Sequence, residues 1–243
     1  MTMRLLVTRP EAEAQALRAR LQALGYEADC APMLRIENLP VAALPLDGVT
    51  ALLFTSANGV RAFCAASARR DFIVHAVGEA SAAAAKDAGF ADVHAAGGDV
   101  DSLAALVRQR QKPRDGALLH AAGATLAGDL QAMLAADGYD IRRVTLYAAH
   151  AAAALPQETA ARFASGGYAA VLFFSPRTAA TFVTLSQAAG IAQAPAGCIA
   201  ICLSDNVARA VVPLGWRNIR VAATPREADL LALLEPGLQT DEA

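Results

Sequence analysis

At 243 residues, with a formal net charge of −2 and no basic tract, the chain is long enough for two ordinary domains and carries nothing that attracts nucleic acid. Hydrophobic residues make up 55% and charged ones 18%, yet no uninterrupted apolar run approaches the ~20 residues a membrane helix needs. Four cysteines without Cys-x-x-Cys spacing and four scattered histidines suggest neither a zinc nor a redox site, so no metal is expected and the thiols read as buried. The opening Met-Thr-Met-Arg-Leu-Leu-Val enters a strand at once and lacks the sections of a signal peptide, so the expected compartment is the cytoplasm.

Arg4-Leu-Leu-Val-Thr8 reads as a short strand, followed by Arg9-Pro10 and a helix with Leu17, Leu21 and Leu24 on one face. Pro10 suits the first helical position, where its missing N–H costs nothing. Gly25-Tyr26 suits a left-handed stop, and the same glycine–aromatic pair recurs at Gly89-Phe90, Gly138-Tyr139 and Gly215-Trp216, predicting four helices that end alike. Residues 37–47, with Pro40 and Pro45, read as a connector. Strands at 51–54 and 73–77 each lead into a helix, and a Gly97-Gly98 corner precedes a helix carrying Leu103, Leu106 and Val107. After the break at 112–116, a strand at 117–120 leads to a helix with Leu126, Leu130, Met133 and Leu134, then to a polar strand ending in Val144-Thr-Leu-Tyr147. An alanine tract with Pro156 reads as a second connector, and beyond it come strands at 170–174 and 198–203 and a last helix near 227–235. The strands are continuous apolar runs, the mark of parallel sheets covered by helices on both faces.

The chain is written twice. Val49-Thr-Ala-Leu-Leu-Phe-Thr-Ser-Ala-Asn-Gly-Val-Arg-Ala-Phe63 matches Tyr168-Ala-Ala-Val-Leu-Phe-Phe-Ser-Pro-Arg-Thr-Ala-Ala-Thr-Phe182, and the opening strand–corner–helix unit returns near residue 117, giving an order A, B, A′, B′. In such sheets ligands bind outside the carboxyl ends of the strands, where the next helix offers unpaired N–H groups and its positive dipole end. Arg9, Ser56 with Asn58, Gly78 with Ser81, Ser175 with Arg177, and Ser204 all fall at such ends. The competing reading is that the serines and Asn58 are ordinary N-caps and the arginines are solvated.

No phosphate-binding glycine loop, Ser–His–Asp pattern or His-Glu-x-x-His occurs. Taken in order, Leu-Val-Thr-Arg-Pro10, Phe54-Thr-Ser-Ala-Asn-Gly-Val60, Ala76-Val-Gly-Glu-Ala-Ser81, Thr145-Leu-Tyr147, Phe173-Phe-Ser-Pro176 and Ala200-Ile-Cys-Leu-Ser204 resemble uroporphyrinogen-III synthase over almost the whole chain. The resemblance implies two α/β domains, each a parallel sheet flanked by helices. They are joined by a two-stranded linker, with the active-site cleft between them. The expected domains are residues 1–34 with 152–243, and an inserted 40–147, with crossings near 35–39 and 145–151.

The implied reaction is cofactor-independent: hydroxymethylbilane, a linear tetrapyrrole, closes with loss of water and inversion of its last pyrrole ring to give uroporphyrinogen III. Tyr147 matches the family tyrosine that assists hydroxyl departure, and the competing reading makes it an interface tyrosine that packs. Ser56, Ser81, Ser175 and Ser204 carry over as carboxylate-binding serines, although Cys202-Leu203 replaces the family's glycine–proline before Ser204. Asn58, Gly78, Arg9 and Arg177 join them from position and charge. The reading expects a monomer with a small-molecule tetrapyrrole partner, no nucleic acid and no membrane, and allows a transient contact with the preceding enzyme of the pathway. The alternative from another class is a non-catalytic, two-lobed cytoplasmic binding protein for a small polyanion.

Overall fold

A computed structural model of the chain describes residues 2–126 and 128–234. In chain order the elements are β1 (Arg4–Val7), α1 (Glu11–Ala23), β2 (Glu27–Cys30), β3 (Leu34–Asn38), β4 (Val49–Phe54), α2 (Ala57–Ala66), β5 (Ile73–Ala76), α3 (Glu79–Asp87), β6 (Val93–Ala95), α4 (Val100–Arg110) and β7 (Ala117–Gly123). There follow α5 (Leu130–Ala135), β8 (Ile141–Ala151), α6 (Gln157–Ala164), β9 (Ala170–Phe173), α7 (Pro176–Ala188), β10 (Ile199–Cys202), α8 (Asp205–Val211), β11 (Ile219–Val221) and α9 (Glu227–Leu231). The chain divides into two compact units, Met1–Arg35 with His150–Ala243 (unit 1) and Ile36–Ala149 (unit 2).

Unit 1 holds a sheet ordered β2-β1-β9-β10-β11, with every neighbouring pair parallel. Unit 2 holds the order β3-β8-β7-β4-β5-β6, with the pairs from β8 to β6 parallel. Each sheet thus contains the same five-strand winding, one strand carried outward by a helix crossover and the next three laid on the other side of the first. In unit 2 the winding starts at β7, so it is a circular permutation of unit 1, as the A, B, A′, B′ order requires. The strand order reverses between β1 and β9 in unit 1 and between β7 and β4 in unit 2, and such reversal points open a crevice at the carboxyl ends.

Both faces of each sheet are covered. In unit 1 Leu5, Val7, Leu172 and Ile201 pack on α1, through Leu17 and Leu21, and on Leu230 of α9. Leu6, Val171, Phe173 and Cys202 pack on Phe163, Phe182, Val207 and Trp216 from the other side. In unit 2 Leu52, Phe54, Leu119 and Ala121 meet Val60 and Phe63 of α2, while Ala51, Leu53 and Leu118 meet Leu103 and Val107 of α4 and Leu134 of α5. All seven residues of β7 are buried, which is why its apolar run does not alternate.

Several elements depart from the sequence reading. The alanine tract read as a connector contains α6, whose first turn follows Pro156 and whose Phe163 is fully buried. The short edge strands β6 and β11 carry no long apolar run and lie outside the sequence expectation. The helix expected from Leu126 begins only at Leu130, because the Asp129 carboxylate accepts from Ala132 N–H at 2.9 Å and caps it there. Helices α1, α3 and α5 close alike: the glycines lie at φ 87°, 94° and 85°, and the N–H of the following aromatic residue returns to the carbonyl five residues back. Gly215 is the exception, ending a 3-10 turn. The last helix is shorter than expected, and Glu235 lies outside the described residues. Of the thiols, Cys198 and Cys202 are buried, and Cys30 and Cys64 are only half-buried.

Candidate active site

The reversal point of unit 2 collects the residues that can do chemistry. Ser56 is extended and caps α2, its Oγ accepting from the N–H of Gly59 at 3.2 Å. Gly59 lies against β7 so closely that a Cβ there would stand 2.6 Å from the carbonyl oxygen of Ala121. The absent side chain therefore lets the first turn of α2 settle onto β7.

Tyr147 reaches this corner through an irregularity in β8. Ala122 pairs with Thr145 but Gly123 pairs with Tyr147, so Leu146 is an extra residue on β8. A regular strand would send Leu146 and Tyr147 to opposite faces, whereas here both belong to the core cluster on the α2 side. The Tyr147 ring then lies across Gly123, where a Cβ would stand 2.7 Å from Cζ and 2.9 Å from the phenol oxygen. Its hydroxyl is 2.7 Å from Ser56 Oγ. Two residues 91 positions apart in the chain thus form one hydrogen-bonded pair at the carboxyl end of the sheet.

Beside the pair, Thr55 Oγ1 is 3.3 Å from Nε2 of His120. His120 is buried, and burial, then nearby Arg143, push its pKa down to about 4, so it is a neutral imidazole at neutral pH rather than a charged acid. Asn58 accepts from Arg61 at 2.8 Å. Gly78 starts α3, and Ser81, its third residue, is only 4% exposed beside Ala82 and Ala85, facing inward rather than towards an open corner.

The corners expected in unit 1 are also at strand ends. Ser175 caps α7, accepting from Thr178 N–H at 3.2 Å and donating to Thr178 Oγ1 at 2.8 Å. Thr8 donates to the Leu172 carbonyl at 2.7 Å and ties the ends of β1 and β9 together. Arg9 is paired with Glu227 at 2.6 Å and lies over the ring of Phe174 at 4.4 Å, with burial drawing its pKa down. Arg177 lines a hollow with Ala151, Ala152, Ala180, Thr181, Thr184 and Leu185. Ser204 precedes α8 without a side-chain capping bond. Of the expected site residues, Ser56 and Tyr147 share a direct hydrogen bond, and Asn58 lies in the helical turn that Ser56 caps.

The profile of the family described as Uroporphyrinogen-III synthase HemD matches residues 15–232. The chain belongs to the uroporphyrinogen-III synthase family. Cofactor-independent cyclisation in tetrapyrrole biosynthesis is the activity that goes with that family. The fold agrees with two solved structures. The uroporphyrinogen-III synthetase of Helicobacter pylori 26695 is 16% identical, with 96% of this chain and 98% of that one covered at a TM-score of 0.63. A mutant uroporphyrinogen III synthase of the extremely thermophilic bacterium Thermus thermophilus is 20% identical over 96% and 97% at a TM-score of 0.55. No curated protein matches by sequence comparison. Among the described residues no helix is long and apolar enough to cross a membrane.

Gly59, Gly123 and the extra residue of β8 build the corner and carried no chemical signal in the sequence. Glycine at a strand end reads as a turn, and a strand irregularity shows only once the partner strand is known.

Proposed function

We propose that this protein cyclises hydroxymethylbilane to uroporphyrinogen III with Tyr147 as the proton donor to the departing hydroxyl. The observation that carries the assignment is the Tyr147 phenol, fixed over Gly123 and bonded to Ser56 at the carboxyl end of the unit 2 sheet. A phenol ionises near pH ~10 in water, so such a donor holds its proton at neutral pH. The lone pair of the nitrogen in the first pyrrole, the ring that carries the hydroxymethyl group, pushes on the hydroxymethyl carbon, and the C–O bond breaks with its electron pair going to oxygen. That oxygen takes the phenol proton and leaves as water. The substituted α-carbon of the last ring then bonds to this methylene at the other end of the chain; its bond to the old methylene bridge breaks and re-forms at the ring's free α-carbon, which inverts the ring, and the proton that carbon loses returns to the phenolate. Holding the flexible chain so that this carbon attacks is a matter of positioning.

The substrate's carboxylates need partners that do not depend on net charge, which is −2. The first turns of α2, α3 and α7, after Ser56, Gly78 and Ser175 and including Asn58 and Arg177, offer N–H groups and a positive dipole end, with Ser204 and Arg9 as the remaining members of the set; Ser81 is buried and its N–H returns to the Gly78 carbonyl, so it supports the turn from within. Arg9 has to exchange Glu227 for a substrate carboxylate to take part. The cytoplasm fits four cysteines that are all unpaired. A monomer suffices for the proton-donor corner, since Ser56, Gly123 and Tyr147 come from one chain.

Tyr147→Phe keeps the ring and removes the donor. It is expected to lower kcat about 10- to 100-fold, the lower part of the range for a general acid, because the pyrrole nitrogen shares the work. Steady-state kinetics under conditions where chemistry limits the rate provide the check, and an unchanged kcat removes the phenol from the mechanism.

A further inference from the structure

We propose that Glu227 is a specificity residue acting through Arg9: a tethered carboxylate that keeps the Arg9 guanidinium closed to small anions and yields it to a carboxylate of a substrate held at several points. The proposal rests on the reading of the substrate as a linear tetrapyrrole with several carboxylates, and it gives a task to a residue outside the expected set.

Arg9 follows β1 at the reversal point of unit 1, and its guanidinium lies over the ring of Phe174, which follows β9. The Arg9 side chain is only 15% exposed, and burial draws its pKa down against the opposing pull of Glu227 and Glu13. A guanidinium so far out of water needs a carboxylate beside it. Glu227, in the first turn of α9, supplies one, but as a divided partner. Its Oε2 accepts from Nη1 of Arg9 at 2.6 Å, while its Oε1 accepts from Nη1 of Arg20. Each arginine is thus held by a single oxygen, whereas the strong form of arginine–carboxylate pairing uses two parallel N–H···O bonds.

This division makes exchange cheap for the right ligand. An incoming carboxylate can meet Arg9 with both oxygens while Glu227 stays with Arg20, whose side chain is 61% exposed and has room to follow it. No charge is left unpaired, which is the costly outcome when a buried pair is broken. Phe174 supports the guanidinium throughout, its ring centroid 4.4 Å from Cζ, so the place of Arg9 does not depend on Glu227 alone. The same contact turns small anions away. Glu227 is covalently tethered beside Arg9, so a free anion has to compete with a high effective concentration of carboxylate. A substrate already held by other carboxylates, at corners such as that of Ser175, competes on equal terms because its next carboxylate is tethered too. Selectivity then comes from a built-in competitor that a weakly anchored ligand cannot displace.

Steady-state kinetics with hydroxymethylbilane and calorimetric titration with citrate, a small tricarboxylate, test the proposal on the full chain. Glu227→Gln removes the competing charge and keeps the side-chain length. It is expected to lower KM about 3- to 10-fold with kcat within about twofold, and to tighten citrate binding about tenfold. Both gains should vanish in an Arg9→Ala background. Arg20→Ala should raise KM about two- to threefold, since a displaced Glu227 then has no second arginine, and should have no effect beside Glu227→Gln. Unchanged KM and citrate affinity in a folded Glu227→Gln protein show a structural clamp and overturn the proposal, as does a gain that survives Arg9→Ala. If thermal unfolding shows that Glu227→Gln does not fold, Arg20→Ala decides, and an unchanged KM there overturns the proposal. Citrate binding that tightens through Arg9 while no uroporphyrinogen III forms leaves the proposal standing and overturns the reading of the reaction instead.

Discussion

At Gly123 a hydrogen in place of a methyl group decides where a phenol can lie. The Cβ of an alanine there would stand 2.7 Å from Cζ of Tyr147, and the ring cannot stay while the backbone of β7 is locked between β4 and β8. Gly123→Ala is therefore expected to swing the ring off Ser56 and reduce kcat at least as far as Tyr147→Phe does. Its cost in stability should be about 1–3 kcal/mol, as for other overpacked sites, read from denaturant unfolding. Wild-type turnover in Gly123→Ala would show that the ring's place over this glycine is irrelevant to the reaction. At this scale the sequence was legible in part. Ser56 and Ser175 are visible as strand-end caps and behave as caps, and Tyr147 was found through the family resemblance. That Ser56 touches Tyr147 was not legible, since nothing in local pattern links residues 91 apart. Arg9 reads as a lone cation by composition, yet Glu227, 218 residues away, neutralises it.

Helix α2 and strand β7 owe their close approach to Gly59, and competing magnitudes make the effect of changing it testable. In an exposed helix Gly→Ala stabilises by about 1 kcal/mol through propensity. Here the new Cβ would stand 2.6 Å from a backbone oxygen of the sheet, which cannot rotate away as a side chain would. Overpacking of this kind costs about 1–3 kcal/mol, so the net sign should be destabilising or near zero rather than stabilising. The first turn of α2 should also lift, taking Ser56 from Tyr147. Thermal unfolding and kcat of Gly59→Ala measured together provide the check; a more stable, fully active variant contradicts the close docking. Long apolar strands and their following helices were legible because burial on both faces leaves continuous runs. The short strands β6 and β11, three residues each, were not, since so few residues carry no period. Helix α6 was missed although its faces differ, with Thr159 and Phe163 buried and Gln157, Glu158 and Ala161 exposed, because eight residues after an alanine tract and Pro156 give only two apolar-face positions to read a period from.

The two units repeat one winding, but they differ in what acid does to them. His75 and His120 are both fully buried in the unit 2 core, and burial, with His94 next for His75 and Arg143 for His120, lowers each from 6.5 to about 4. Asp92 acts the other way on His75, and Arg110 adds to the lowering. Between those values the unfolded chain binds more protons than the folded one, so stability falls as pH falls from about 6.5 and levels off near 4. Each histidine should remove on the order of 3 kcal/mol over that window. Unit 1 has no fully buried histidine among the described residues, and it holds the single tryptophan, Trp216, packed on Phe163 and Phe173 at centroid distances of 5.6 and 6.1 Å. Acid titration should therefore lower the far-UV circular dichroism before the Trp216 fluorescence changes, whereas coincident transitions would contradict unequal stability of the units. The doubling of the chain was legible from two matched fifteen-residue stretches; that the second copy's winding is permuted emerged from the strand order.

The claim on which the account depends is that this chain directs ring closure. The most direct measurement is incubation of the purified protein with freshly made hydroxymethylbilane, followed by separation of the uroporphyrinogen isomers after oxidation. Accumulation of isomer III, turned over many times per protein molecule and without added cofactor, is the predicted result. Accumulation of the symmetric isomer alone, in the yield and at the rate found without protein, would contradict it and leave a polyanion-binding protein in its place.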